Sequence, residues 1–224
     1  MSEKVERIRN IELIGHGGAG KTSLAEAMLY KSGTIKRLGK VEEGNTSMDF
    51  EPEELKRRSS ISSGFHQFSW KNHTVNLIDT PGDQNFFSDT KSSMQAADGA
   101  VVVVDAVDGV KVQTELAWEF AKEFNQPCMI FINKLDRERA DFNRAFEDAK
   151  VSFEPKPIIL QLPIGTEEDF KGVVDLISSK AYVYDSEGKA KAGDVPEDMQ
   201  DLVETEKEAL IENIAEVDDE LVER

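Results

Sequence analysis

The sequence predicts an α/β fold in which a mostly parallel sheet carries helices on both faces. Short apolar runs that are typical of strands alternate along the chain with segments of helical periodicity. The predicted strands are residues 9–14, 65–70, 73–78, 99–106 and 128–133. The predicted helices are residues 23–31, 83–95, 114–124 and 142–150. Because the run at 99–106 is continuously apolar, it predicts a strand that is buried on both faces.

Three regions depart from this alternation. The strands 65–70 and 73–78 are separated only by Lys71 and Asn72, which predicts a tight hairpin. Residues 32–63 have no regular pattern, and loops of that length are usually functional or disordered. Near Pro155 the pattern changes to short strands followed by a long acidic helix, whose acidic face is either solvated or a surface for a basic partner.

The first strand is followed by a glycine-rich octet that fits the phosphate-loop pattern GxxxxGK[ST]. Glycines let successive backbone amides face a phosphate chain, and the helix that follows directs its amino end at the same place. Lys21 is expected to reach the β- and γ-phosphates, and the Thr22 hydroxyl is expected to bind magnesium. The predicted nucleotide-binding residues here are Gly15, His16, Gly17, Gly18, Ala19, Gly20, Lys21, Thr22 and Ser23. A glycine-rich turn with a chance lysine is the alternative.

The predicted strand 128–133 ends in the tetrad Asn133, Lys134, Leu135 and Asp136. A carboxylate such as Asp136 can accept two hydrogen bonds from the guanine edge, whereas adenine would leave it unpaired. Asn133 is expected to tie the base to the phosphate loop, and the Lys134 stem to cover the ring. Alone the tetrad is a common polar turn, but its place after a phosphate loop and a strand favours a guanine site.

A third motif, of Asp79, Thr80, Pro81 and Gly82, also follows an apolar strand. Asp79 is expected to hold the metal, through water, and the Gly82 amide to approach a γ-phosphate. An Asp-x-Pro-Gly turn is ordinary by itself. Three such motifs at strand ends together indicate one nucleotide site, since ligands of open α/β sheets bind at the carboxyl ends of the strands.

Composition limits the class of protein. The chain has 224 residues, a formal net charge of −17 and 39% hydrophobic residues, enough for a sizeable core. It has no apolar run of membrane-spanning length and no secretory signal. Its one cysteine, Cys128, is expected to lie in a buried strand and cannot form an internal disulfide. We therefore expect a cytoplasmic protein that does not bind membranes.

The chain resembles the N-terminal GTPase domain of bacterial elongation factor G along essentially all of its residues. The matching segments are residues 6–10, 39–44, 79–82, 133–142, 161–165 and 170–177. The last segment is specific to an insertion found in that factor. The resemblance implies the phosphate-loop GTPase fold, with a GTP-binding core at residues 1–154 and part of an inserted α+β subdomain at residues 155–224. It implies GTP/GDP and Mg2+ as ligands, a monomer, and a ribosome, with its rRNA and stalk proteins, as the partner.

Departures from the family pattern affect the expected chemistry. Asp83 stands where the family has the histidine that orients the attacking water, and Gly18 stands where it usually has aspartate. Ser60 stands where the family has the threonine that binds magnesium. The expected metal ligands are therefore Thr22, Ser60 and Asp79, and the expected catalytic residues are Lys21, Gly82 and Asp83. These departures are similar to those of the divergent second elongation factor G group.

Two function classes stay open, a GTPase and a GTP-binding switch that hydrolyses slowly or not at all because of Asp83. A phosphate-loop ATPase is a third, which Asp136 disfavours. The cluster of Lys56, Arg57 and Arg58 could contact rRNA or simply be solvated. The guanine-contacting Ser-Ala motif of the family is not found, so we expect an incomplete core.

Overall fold

The computed structural model describes residues 5–185 and 188–216 and contains two β-sheets. The first sheet consists of β1 (Ile8–Ile14), β2 (Gly64–Trp70), β3 (His73–Asp79), β4 (Gly99–Asp105) and β5 (Cys128–Asn133). Its strand order is β2-β3-β1-β4-β5, and only the β2–β3 pair is antiparallel. The β2–β3 turn has positive φ at both Lys71 (45°) and Asn72 (63°), as a tight hairpin requires.

Helices cover both faces of this sheet, which confirms the predicted fold class. The α-helices of the described residues are α1 (Lys21–Lys31), α2 (Pro52–Arg57), α3 (Phe87–Met94), α4 (Val112–Glu123), α5 (Phe142–Ser152) and α6 (Gln200–Ala215). Neighbouring residues of β1 point to opposite faces. Leu13 contributes to a core cluster with Leu29 of α1, whereas Ile14 contributes to a second cluster with Trp118 of α4 and Ala149 of α5. No helix among the described residues is long and apolar enough to cross a bilayer.

The expectation that Cys128 lies in a buried strand was wrong. Within the described residues β5 pairs only with β4, so it forms an edge of the sheet. Cys128 is half-buried, and Met129 and Phe131 are 59% and 39% exposed. An apolar run predicts that a strand forms. Whether other elements bury that strand depends on the tertiary structure.

The second sheet is antiparallel and follows the first in the chain. Its strands, in spatial order, are β6 (Gln161–Ile164), β7 (Gly172–Asp175), β8 (Lys180–Tyr184) and β9 (Ala190–Gly193). Val203 and Leu210 of the acidic helix α6 join its apolar face. The predicted acidic segment continues through residues 217–224, which lie outside the described residues. The domain boundary at 154/155 stays a prediction.

The segment 32–63 was expected to be irregular, yet it contains α2. Pro52 provides the helix start, and Glu51 and Glu54 form a capping box there. The sequence signal for this helix was a short capping pattern without apolar periodicity, and tertiary contacts fix the rest of the segment.

Candidate nucleotide-binding site

A cleft of about 860 Å³ lies where the first sheet's parallel strands end. A volume of that size is within the usual range for a small-molecule site. Residues from all three predicted motifs line this cleft. They are Gly17, Gly18, Gly20, Lys21, Thr22, Ser23, Thr80, Gly82, Asn133, Lys134 and Asp136, and the separately predicted metal ligand Ser60 lines it too. The motifs, far apart in sequence, therefore converge as expected for an open α/β sheet.

Lys21 is held at the centre of the phosphate loop. Its Nζ donates hydrogen bonds to the carbonyl oxygens of Gly15 (2.9 Å) and His16 (3.0 Å), and the residue is only 5% exposed. Burial lowers the pKa of Lys21 to about 8, although the nearby Asp79 opposes this shift. A polyphosphate placed against this amine would favour its charged form.

Gly82 makes the close approach that a phosphate site needs. The Gly17 amide donates to the Gly82 carbonyl oxygen at 3.0 Å. A Cβ on Gly82 would collide with the Gly17 nitrogen and would lie 2.5 Å from Lys21 Nζ. Any side chain at this position would displace the lysine amine, so glycine is required here.

The donors expected for magnesium lie together beside the loop. Thr22 Oγ1 is 3.3 Å from Ser60 Oγ, which donates to Asp49 Oδ1 at 2.7 Å. Asp79 is 1% exposed, and burial raises its pKa to about 7, an effect that hydrogen bonding to Thr22 and the charge of Lys21 reduce. Among the described residues Asp79 Oδ1 is buried without a hydrogen-bond partner. Hard oxygen donors and an unpaired carboxylate oxygen fit a magnesium ion or its bound water.

The tetrad at the end of β5 is joined directly to the phosphate loop. Asn133 Nδ2 donates to the Ala19 carbonyl oxygen at 2.9 Å. Lys134 Nζ donates to the Gly18 carbonyl oxygen and to Asp105 Oδ2, each at 2.6 Å. A Cβ on Gly20 would collide with Asn133 Nδ2, so the loop glycine makes room for this link.

Asp105 anchors the lysine of that tetrad. Burial raises the pKa of Asp105, but the Lys134 ammonium and the backbone amides of Val107 and Asp108 outweigh it, and the net shift is downward. The Lys134 stem is thus fixed at the cleft, while Asp136 is exposed to it.

Sequence comparison identifies the family. The model of the elongation factor Tu GTP binding domain matches residues 6–220. The chain belongs to this family of GTP-binding domains. It is 41% identical to elongation factor G 1 of Synechocystis sp., over 100% of this chain and 33% of that protein. A crystal structure of a protein from Thermus thermophilus matches with a TM-score of 0.90 and 36% identity, over 97% of this chain and 32% of that one. The chain spans about a third of the length of both.

Several residues that were predicted to bind the nucleotide in this GTP-binding domain do not line the cleft. Gly15, Ala19 and Asp79 contribute the contacts described above without lining the cavity. Pro81 is buried, and its carbonyl oxygen accepts a hydrogen bond from Thr90. Leu135 is half-buried and also lies off the cavity wall.

The side chains of His16 and Asp83 contact residues that do not line the cleft. His16 is 2% exposed, and its Nδ1 lies 3.0 Å from Thr114 Oγ1. Burial, with the charges of Lys111 and Lys21, lowers the His16 pKa to about 4, so the ring is neutral at physiological pH. Asp83 accepts from the Asn85 amide (2.9 Å) and from its Nδ2 (2.8 Å), capping a short 3-10 helix. It does not line the cleft.

Sequence reasoning missed ten residues that line the cleft, and most of them lie outside the strands and α-helices. They are Val41, Glu42, Asp49, Arg58, Ser59, Asp105, Val107, Asp108, Arg137 and Glu138. Asp105 could have been found, because it ends an apolar strand at the same sheet edge. The residues of segment 32–63 had no such signal, since the loop alone decides where they lie.

Two buried glutamates hold that loop over the cleft. Glu26 of α1 accepts hydrogen bonds from the backbone amides of Gly39 (3.1 Å), Ser47 (2.5 Å) and Met48 (3.2 Å). Glu54 of α2 accepts from four more, at distances between 2.8 and 3.2 Å. These are the amides of Phe50, Glu51, Ile61 and Ser62. Some of these hydrogen-bonded amides belong to the sequence neighbours of Asp49 and Ser60. Both residues are therefore held beside Thr22.

Proposed function

We propose that this domain binds GTP and GDP with Mg2+ and acts as the nucleotide-dependent switch of an elongation factor G-like protein. The observation that carries the proposal is the hydrogen bond of Asn133 to the Ala19 carbonyl oxygen, at 2.9 Å. This hydrogen bond joins the turn that we propose to bind guanine to the phosphate loop. The two sites are therefore close enough for a single nucleotide, which has both a base and phosphates.

Each residue then has a role set by its position. Asp136 accepts from the guanine edge, and Lys21 offsets phosphate charge. The Gly82 amide approaches the terminal phosphate, while Thr22, Ser60 and Asp79 hold the metal, Asp79 through water. Mg2+, when bound, neutralises charge that develops on the phosphates. Hydrolysis converts GTP and water to GDP, phosphate and a proton.

The rate of hydrolysis separates two forms of this function. The side chain of Asp83 caps a helix and lies off the cleft wall, and its charge would be unfavourable beside a γ-phosphate. We infer slow hydrolysis, with a switch that acts by binding alone as the alternative. For the whole protein we propose a monomer that binds the ribosome through rRNA and stalk proteins, as a member of the second elongation factor G group.

Base choice tests the proposal. Isothermal calorimetry with GTP, GDP, ATP and XTP should show binding of the two guanine nucleotides only. Asp136→Asn should shift the preference toward XTP by about 100-fold or more, because an amide donor suits the xanthine C2 oxygen. Lys21→Ala should abolish tight triphosphate binding and serves as the control for the phosphate loop. Equal affinities for ATP and GTP would refute the proposal.

A further inference from the structure

Arg58 lies at the phosphate end of the cleft. It lines the cavity together with Ser59 and with two of the expected metal donors, Thr22 and Ser60, whose hydroxyl oxygens are 3.3 Å apart. We propose that Arg58 is a ligand of the terminal phosphate and makes the site prefer a nucleoside triphosphate over a diphosphate. This inference rests on the proposed function, since it requires a guanine nucleotide in the cleft.

The backbone at Arg58 is held in an unfavourable conformation. Its φ and ψ are 55° and 42°, the left-handed region that glycine adopts freely and arginine rarely does. The Arg58 amide caps α2 by donating to the Glu54 carbonyl oxygen, and the Ser59 amide donates to the same oxygen at 3.2 Å. Strain of this kind persists where the surroundings fix it, and it clusters at ligand sites.

The charges around the cleft leave a role for this cation. Six carboxylates and four cationic side chains line it, which is unfavourable for a polyphosphate. Lys134 is paired with Asp105, and Arg137 belongs to the base end, next to Asp136. Within the described residues the Arg58 guanidinium forms no ion pair or hydrogen bond, so it is available to a phosphate at the other end.

Guanidinium chemistry matches a terminal phosphate. Arginine stays charged at all relevant pH values and can bind phosphate oxygens through two parallel hydrogen bonds. A β-phosphate is already enclosed by the phosphate-loop amides. The additional contact therefore discriminates between GTP and GDP.

The adjacent Arg57 provides a matched comparison. It is exposed, its Nε is 2.8 Å from Glu53 Oε1, and it does not line the cleft. Arg57 and Arg58 thus differ in position but not in charge or chemical type. An effect of general surface charge would appear in both arginines, whereas a phosphate contact would appear in Arg58 alone.

The experiment measures two affinities with Mg2+, for GDP and for the non-hydrolysable β,γ-imido analogue of GTP. We compare the wild-type chain with Arg58→Gly, Arg58→Lys and Arg57→Ala. Arg58→Gly should weaken analogue binding by about tenfold or more and leave GDP binding unchanged. Arg58→Lys should lose less, and Arg57→Ala should match wild type. Because glycine relieves the left-handed strain, the unfolding midpoint of Arg58→Gly should not fall.

The outcomes separate the two proposals. Wild-type binding of guanine nucleotides with an unchanged analogue-to-GDP ratio in Arg58→Gly would overturn the role of Arg58 alone. Equal weakening of both nucleotides, or an identical loss in Arg57→Ala, would also overturn it. Failure of the wild-type chain to bind either guanine nucleotide would overturn the proposed function and this inference with it.

Discussion

Asp83 lies next to the phosphate site in sequence but takes no part in the hydrogen bonds that form this site. It follows Gly82 directly, yet its carboxylate is used as a helix cap for Asn85. The phosphate loop, the metal donors and the base-reading turn are all formed without it. We therefore propose that a substitution at Asp83 can change hydrolysis without removing nucleotide binding.

Replacing Asp83 should alter hydrolysis and leave affinity unchanged. We expect Asp83→His to raise the single-turnover rate of GTP hydrolysis by about tenfold or more, because a neutral imidazole can orient water without adding charge at the γ-phosphate. Affinity for GTP should stay within about twofold, since Lys21, Thr22 and Asp136 carry binding. Asp83→Asn, which keeps a cap acceptor but lacks the imidazole, is the control. A histidine variant no faster than wild type would contradict this reasoning.

At the scale of elements, the loop 39–62 is shaped by side chains that belong to helices. Glu26 projects from α1 and Glu54 from α2, and together they accept hydrogen bonds from seven backbone amides. Buried backbone amides need acceptors, and a carboxylate is a strong one. The segment that carries Asp49, Arg58 and Ser60 is therefore ordered by Glu26 of α1 and by Glu54 of α2.

Neutralising Glu54 should loosen this loop. Glu54→Gln keeps the size but loses the charge, and its amide nitrogen cannot accept from backbone amides. We expect trypsin to cleave after Arg57 and Arg58 roughly tenfold faster in this variant, because local opening becomes more populated. Glu53→Gln is the matched control, since Glu53 is exposed and, among the described residues, accepts no hydrogen bond from a backbone amide. Equal cleavage rates in both variants would exclude Glu54 as the element that holds the loop.

At the scale of the whole molecule, a buried carboxyl group in the central strand influences stability. Glu12 of β1 is 0% exposed, and Ser93 Oγ donates to its Oε1 at 2.5 Å. Burial raises the Glu12 pKa to about 7, and the Ser93 hydrogen bond only partly offsets this. The folded state thus binds a proton more tightly than the unfolded state, and this contribution to stability is lost as pH rises from about 4.5 to 7.

Glu12→Gln should remove that pH dependence. At pH 8 the variant should be more stable than wild type by up to about 3 kcal/mol, the free energy equivalent of the raised pKa. At about pH 4.5, the ordinary pKa of the group, the two proteins should differ little. Urea unfolding at both pH values measures the difference in the free energy of unfolding. Asp79, whose pKa is also raised to about 7, is present in both proteins, so its contribution cancels in the comparison. Glu119→Gln, at an exposed position, is the control, and a Glu12 variant with no pH-dependent gain would contradict the assignment.

The sequence by itself determined the elements and motifs that depend on local pattern. The continuous apolar run at 99–106 predicted a strand, found as β4, and the tight Lys71-Asn72 turn predicted the hairpin. The phosphate loop and the tetrad after β5 were recognised because glycine spacing and strand ends carry their chemistry locally. Parallel strands bring such ends to one edge, so their convergence also followed from the pattern.

Tertiary structure alone decided where the irregular segments and single side chains lie. Arg58 and Asp49 reach the cleft because buried glutamates fold the loop, and no periodicity records such contacts. Asp83 caps a helix although it occupies a catalytic position in the family pattern. Cys128 lies on an edge strand, since covering neighbours are not encoded in the strand itself. Local preference fixes which element forms, but hydrogen bonds and packing between distant residues fix what each side chain contacts.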